Sequence, residues 1–189
     1  MLPKASTTMN PEPTGIELEV LLDKEAISRR VRELGAQISA DYRGRPLRLV
    51  GVLKGAWVFL ADLVRCLDLD VTVDFLSFTS YGDGTESSGA VKITKDLDQS
   101  ITGLDVLVVE DILDTGRTFE YLLGTLEAHK PRSVKVVTLL DKPSSRIRPV
   151  KADYVGFTIP DVFVVGYGLD YAGEYRNLPD VRIVRNPVS

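Results

Sequence analysis

An α/β fold with a mostly parallel central sheet flanked by helices is what this sequence predicts, on three observations. Short apolar runs of strand length alternate with segments whose apolar residues recur at helical spacing. The strand runs are nearly continuous in apolar residues, as strands covered by helices on both faces require. The chain has 189 residues, 44% of them hydrophobic and 26% charged, which is ordinary globular composition and enough for one domain with its own core.

Residues 1–14 are rich in Pro, Ser and Thr, show no periodicity, and are expected to be a mobile tail ahead of a single domain at 15–189. Ile16 to Leu22 reads as a short strand. Asp23 is placed to cap a helix in which Ile27, Val31, Leu34 and Ile38 recur at helical spacing to about Tyr42, with Gly44 and Pro46 ending it. Leu47 to Leu53 (LRLVGVL) is a strand, Lys54-Gly55 an interruption, and Ala56 to Leu67 an apolar helix that places Trp57 and Cys66 in the core. Val71 to Thr79 is a second strand of this series. Ser80 to Ile101 is a long polar connection, part of it suited to a hairpin. Its first half, Tyr81 to Gly89, suits either a surface loop or a lid over a site. Further strands are expected at Val106–Val109, Val134–Leu140, Tyr154–Phe157 and Phe163–Tyr167, with a helix through Phe119, Leu122, Leu123 and Leu126. His129, the only histidine, falls at the end of that helix and reads as solvated.

Charge and cysteine content exclude several classes. Lys and Arg number 23 against 27 Asp and Glu, a net charge of −4, which argues against general affinity for nucleic acid or anionic membranes. Between Lys130 and Lys151 seven basic residues stand against Asp141 alone. That segment carries +6 and the rest −10, so it is either a solvated face or partly turned toward an anionic ligand. A single cysteine, Cys66, rules out an internal disulfide and fits a reducing compartment, so a cytoplasmic location is expected. No stretch approaches the ~20 apolar residues of a membrane span, and MLPKASTTMNPEPTG lacks the apolar core of a secretory signal.

The most informative segment is VLVVEDILDTGRTFEYLL, residues 106–123. An apolar strand runs into Glu110 and Asp111, two adjacent carboxylates that are costly there unless a cation or hydroxyl-rich ligand meets them. Thr115, Gly116 and Thr118 then fall at a helix start, where free N–H groups and the positive dipole end favour an anion. Gly116 lets the backbone approach a ligand closely, and the threonine hydroxyls add donors. A plain helix cap is the alternative for Asp-Thr-Gly taken alone. No G-x-x-x-x-G-K-[ST] and no G-x-G-x-x-G occurs, so neither common nucleotide-binding loop is present.

VVEDILDTGRT resembles the phosphoribosyl-pyrophosphate motif of the type I phosphoribosyltransferases. VLKGAWVFLADLVR (52–65), TSYGDG (79–84), LLDKPSSR (139–146) and VGFTIPDVFVVGYGLDYAGEYRNLP (155–179) resemble the bacterial hypoxanthine-guanine branch of that family. The resemblance covers about residues 16–185. It implies the type I phosphoribosyltransferase fold with a flexible lid loop and a small hood subdomain, built from the N-terminal strand and helix edge and residues of about 155–185.

The resemblance also assigns roles. Glu110 and Asp111 would hold the ribose hydroxyls, directly or through a metal, and Asp114, Thr115, Gly116, Arg117 and Thr118 the 5′-phosphate. Asp114 would be the catalytic general base toward purine N7. Lys142 would donate to the purine O6, Phe163 would stack on the purine, and Val164 and Asp170 would complete that side. Lys54, Gly55 and Arg176 would bind pyrophosphate, with a cis peptide at Leu53-Lys54. Mg²⁺ would be the cofactor, with Glu110, Asp111 and Asp170 as its carboxylates, and Ser80 and Tyr81 would head the lid. The implied activity is purine salvage, transfer of the 5-phosphoribosyl group from phosphoribosyl pyrophosphate to N9 of hypoxanthine or guanine. Two alternatives stand beside it: an RNA-binding regulator on the same fold, supported by the +6 segment, and a transferase for xanthine or uracil. The expected partners are small-molecule substrates and a second or further copies of the chain, as a homodimer or homotetramer, with neither nucleic acid nor membrane. The apolar Ala56–Leu67 helix suits either an interface or the interior.

Overall fold

In the computed structural model, which describes residues 16–80 and 91–185, nine strands and three helices form two sheets. The central sheet has six strands in the order β4-β3-β2-β5-β6-β7. These are β2 (Leu47–Leu53), β3 (Val71–Ser80), β4 (Val91–Lys95), β5 (Asp105–Leu113), β6 (Ser133–Asp141) and β7 (Tyr154–Thr158). All neighbours run parallel except β4, which pairs antiparallel with β3 as the hairpin within the long polar connection. The second sheet joins β1 (Leu18–Leu22), β9 (Val181–Val184) and β8 (Val164–Val165), all antiparallel.

Helix α1 (Lys24–Asp41) starts where Asp23 accepts the Ala26 N–H at 2.7 Å. Together with α2 (Trp57–Val64) it covers one face of the central sheet, packing Ile27, Val31, Leu34, Phe59 and Leu63 on Leu47, Leu49, Leu107 and Val109. Helix α3 (Arg117–Ala128) covers the other, packing Phe119, Leu122 and Leu126 with Val50, Val52, Val106 and Val108. Successive strand residues thus belong to different cores, which is why the strands read as continuous apolar runs.

Several elements differ from the sequence expectation. Helix α2 ends at Val64 because the Cys66 and Leu67 N–H groups bond to Leu63 and Val64, a tightened last turn. Trp57 is not core: it stands at the first turn of α2 and is 49% exposed, while Cys66 is partly buried beyond the helix. Strand β5 does not stop before the acids but carries Glu110 and Asp111 within it, paired with β6 as far as Leu113↔Asp141. The strand expected at Phe163–Tyr167 is only Val164–Val165 and belongs to the second sheet. The tail at 1–14 lies outside the described residues. Among the described residues no helix is long and apolar enough to cross a membrane.

Candidate functional site

The chain leaves β2 toward β3 on one side and leaves β5 toward β6 on the other, so the strand order reverses between β2 and β5. At such a switch point the connections diverge and leave a crevice beyond the carboxyl ends of the strands. The ends of β2 and β5 carry Lys54-Gly55 and Glu110-Asp111. The Lys54-Gly55 loop touches strand β5 at these acids. A Cβ on Gly55 would lie 1.5 Å from Asp111 Oδ2, so only a glycine lets the backbone sit against that carboxylate. The Leu53–Lys54 peptide is cis, as the resemblance implies, and the Lys54 side chain is exposed.

Asp111 is buried and its Oδ1 accepts the Ile112 N–H at 2.8 Å. Glu110 is half-buried and lines a cavity of about 160 Å³ with Asp114, Thr115, Gly116 and Thr118. Burial, then the adjacent Asp111 charge, holds the Glu110 carboxyl well above the ordinary range. Burial raises Asp111 too, against the opposing pull of its hydrogen bonds and of the Arg176 charge. The two carboxylates therefore hold protons readily in the absence of a cation or hydroxyl partner.

Helix α3 begins at Gly116, whose φ of +80° is the left-handed conformation glycine adopts without strain. Gly116 itself offers no side-chain cap; the Arg117 N–H reaches the Thr115 hydroxyl at 3.5 Å, and the helix start adds positive dipole potential to the turn. Arg117 and Thr118 are exposed, and Thr115 and Asp114 are half-buried. The Thr115 carbonyl accepts from Ile147 and Arg148 N–H groups at 2.9 and 3.1 Å, which packs the segment after β6 on this turn. Arg146 reinforces it, donating to the Leu113 carbonyl at 3.1 Å, to Val150 at 3.1 Å and to Asp141. Arg146 is one charge of the basic segment and the last residue of LLDKPSSR, but no role is assigned to it from sequence.

Lys142 follows β6 and is 6% exposed, with its backbone N–H on the Leu113 carbonyl at 3.0 Å and its ammonium 3.9 Å from Asp161. Ile159 N–H bonds to the Asp141 carbonyl, so the 159–163 segment arrives beside Lys142. Phe163 is 45% exposed and meets Tyr171 edge to face at 5.6 Å, so it is not a core residue, whereas Val164 is buried. Asp170 binds Arg176 Nη2 at 2.6 Å and accepts the Gly173 N–H at 2.8 Å. Among the described residues no three Asp, Glu, His or Cys side chains converge as a metal cluster, so Asp170 is not gathered with Glu110 and Asp111. Ser80 closes β3, and Tyr81 lies outside the described residues.

A larger groove of about 910 Å³ opens between α1, the start of α2 and residues 176–179, and includes Trp57, Asp62 and Arg176. The basic segment is no continuous surface: Arg132 pairs with Asp105, Lys135 lies over Tyr42 and Tyr154, Lys142 is buried near Asp161, Arg146 meets Asp141, and Arg148 meets Glu120.

Residues 17–172 match the family model described as a phosphoribosyl transferase domain. The chain belongs to the phosphoribosyltransferase family. It is 50% identical over 170 residues to the hypoxanthine-guanine phosphoribosyltransferase of Bacillus subtilis, covering 90% of this chain and 94% of that protein. It is 52% identical over 167 residues to the bifunctional protein TilS/HprT of Listeria innocua, covering 88% of this chain and only 26% of that longer protein. A crystal structure of a hypoxanthine phosphoribosyltransferase from Staphylococcus aureus superposes with a TM-score of 0.85 at 50% identity, covering 88% of this chain and 91% of that one. The type I phosphoribosyltransferase fold expected from the motif is the fold this family member has.

Proposed function

We propose that this phosphoribosyltransferase is a purine salvage enzyme that transfers the 5-phosphoribosyl group from phosphoribosyl pyrophosphate to N9 of hypoxanthine or guanine. The observation that carries the reading is the contact between Gly55 and Asp111 at the switch point, which brings a backbone anion loop against the acid pair beside the start of α3. The half-identical relatives named for hypoxanthine and guanine supply the base class.

In this reading the amides of 115–118 and the hydroxyls of Thr115 and Thr118 hold the 5′-phosphate. Glu110 and Asp111 accept from the ribose 2′- and 3′-hydroxyls, which relieves the charge they otherwise bury. Lys54, Gly55 and Arg176 take the pyrophosphate. As the C1′–N9 bond forms, the C1′–oxygen bond breaks and its electron pair leaves on pyrophosphate. Asp114 accepts the purine proton from N7. Phe163, 45% exposed, offers its ring for stacking. The Lys142 ammonium donates to O6 and discriminates against a 6-amino group, which would leave it facing another donor.

The donor set suits Mg²⁺, which prefers a few carboxylate oxygens completed by water and substrate phosphates and needs no all-protein cage. Glu110 and Asp111 would hold a cation on the ribose side, with Asp170 a separate carboxylate on the pyrophosphate side, and a bound cation's charge would stabilise the departing pyrophosphate. A second copy of the chain is expected to pack over the exposed Trp57 and the groove beside it, giving a homodimer or homotetramer. We also place the protein in the cytoplasm, consistent with its single unpaired Cys66.

The test is a product assay with phosphoribosyl pyrophosphate, Mg²⁺ and each base in turn. IMP or GMP with release of pyrophosphate is the expected result. Turnover on uracil alone, or on no base, would overturn the assignment.

A further inference from the structure

The segment after β8 runs through three successive left-handed residues, Gly166 (φ +93°), Tyr167 (φ +51°) and Gly168 (φ +102°). Two glycines adopt this freely, but a tyrosine there is strained and persists only where its surroundings fix it. What fixes it is visible. The Tyr167 side chain is buried, and its hydroxyl donates to Asp62 Oδ2 on α2 at 2.6 Å. Its backbone N–H bonds to the Leu178 carbonyl at 2.9 Å.

The neighbour on its C-terminal side reaches the site. A Cβ on Gly168 would lie 2.2 Å from the Gly55 carbonyl oxygen, so this strap presses on the loop that the family resemblance assigns to pyrophosphate. The same glycine is held by Arg176 twice, its carbonyl accepting from Nη1 at 2.6 Å and its N–H donating to the Arg176 carbonyl at 3.0 Å. Helix α2, which carries Asp62, starts directly after Lys54-Gly55-Ala56. The Tyr167 to Asp62 bond therefore ties the strap that supports Gly55 and Arg176 to the helix the Gly55 loop feeds.

We propose that Tyr167 and Asp62 are positioning residues for pyrophosphate recognition: their hydrogen bond holds Gly168 against the Gly55 carbonyl and so fixes the Lys54-Gly55 loop and Arg176 relative to each other. Neither side chain touches substrate. The inference deepens the proposed function and rests on it.

The experiment compares Tyr167→Phe, Asp62→Ala, Asp62→Asn and the Tyr167→Phe/Asp62→Ala pair with the unaltered enzyme, measuring KM for phosphoribosyl pyrophosphate, KM for the purine at saturating co-substrate, kcat and Tm. Loss of a hydrogen bond to a carboxylate predicts a rise of about 5- to 20-fold in KM for phosphoribosyl pyrophosphate in Tyr167→Phe and Asp62→Ala. The purine KM is expected within about twofold of the unaltered value, because Lys142 and Phe163 are not on this path. Asp62→Asn keeps an acceptor oxygen and is expected to retain the unaltered KM, and the double variant to be no worse than the worse single one. Equal rises in both KM values, a lowered Tm with unchanged KM, or additive single effects would each overturn the positioning role. If the unaltered enzyme makes no nucleotide, the proposed function itself fails, a result separable from any outcome of the variants.

Discussion

Gly55→Ala is the sharpest probe of the switch-point contact. The new methyl carbon would lie 1.5 Å from Asp111 Oδ2, 2.5 Å from its Cγ and 3.2 Å from Oδ1. Ordinary contact begins near 3.4 Å, so about 2 Å of separation has to be made. The carboxylate has little freedom to supply it, being buried with Oδ1 held by the Ile112 N–H. The loop has little freedom either, because Gly168 closes on the Gly55 carbonyl from behind. A misplacement of about 1 Å at a reacting centre costs about 10²-fold in rate, so a loss of at least that size in kcat/KM for phosphoribosyl pyrophosphate is expected. The assay is initial-rate formation of IMP over a range of phosphoribosyl pyrophosphate, with Tm recorded alongside. A folded Gly55→Ala enzyme within threefold of the unaltered kcat/KM would refute the idea that this contact sets the site.

Other expectations follow from the same geometry. Gly124→Ala is the control: a Cβ there meets nothing within 4 Å on the exposed side of α3, so about 0.5–1 kcal/mol of stabilisation and a Tm rise of about 1–4 °C are expected with unchanged kcat. Glu110→Gln is expected to raise Tm at pH 7.5 while lowering turnover. Burial raises the native carboxyl above its usual 4.5, so the native state gains from the proton at low pH and loses that stability as pH rises, and the Tm difference should vanish near pH 4. Asp105 behaves oppositely: hydrogen bonds from Arg132 hold it down at about 2, so its stabilisation is present above its usual 3.8 and is lost as pH falls through about 2. Arg132→Ala should lower Tm at pH 6 and progressively less in acid, measured by thermal melts across pH. Asp114→Asn should lower kcat about 10- to 10³-fold with Tm unchanged, and unaltered turnover with chemistry rate-limiting would remove Asp114 as the base.

How far the sequence reveals this molecule depends on where each contact partner sits along the chain. LRLVGVL is a strand of the same bounds in sequence and structure because its apolar residues serve two cores at once, and Asp23 caps α1 through a bond three residues away. Local chemistry is enough for both. Strand β5 is misread because polarity at Glu110 and Asp111 looks like a strand end, whereas backbone pairing with β6 continues underneath them. The sheet β1-β9-β8 joins segments more than 140 residues apart, and VRIV (181–184) is too short and mixed to announce itself as a strand. The turn at 114–118 is legible in the site for the same reason as α1. Arg146, Tyr167 and Gly168 are not, since each acts through a tertiary partner that no spacing rule connects to it.

The three layers that meet at the crevice explain why the small sheet belongs to the function of the large one. Asp111 comes from β5, Gly55 from the end of β2, and Gly168 from the strap between β8 and β9, each with no room for a methyl group between it and the next. One of these two contacts, Gly168 against the Gly55 carbonyl, is backbone on both sides, and backbone keeps its geometry more narrowly than a surface side chain does. The acid pair is unfavourable in isolation, since burial raises both carboxyls, so the fold gives up stability to hold it there. Such a site tolerates change where its groups face solvent, as at Lys54 and Arg117, far better than where its glycines touch. Alanine at Lys54 or Arg117 should therefore leave Tm unchanged even where it weakens an anion contact, while alanine at Gly55 or Gly168 disturbs backbone that the whole crevice shares.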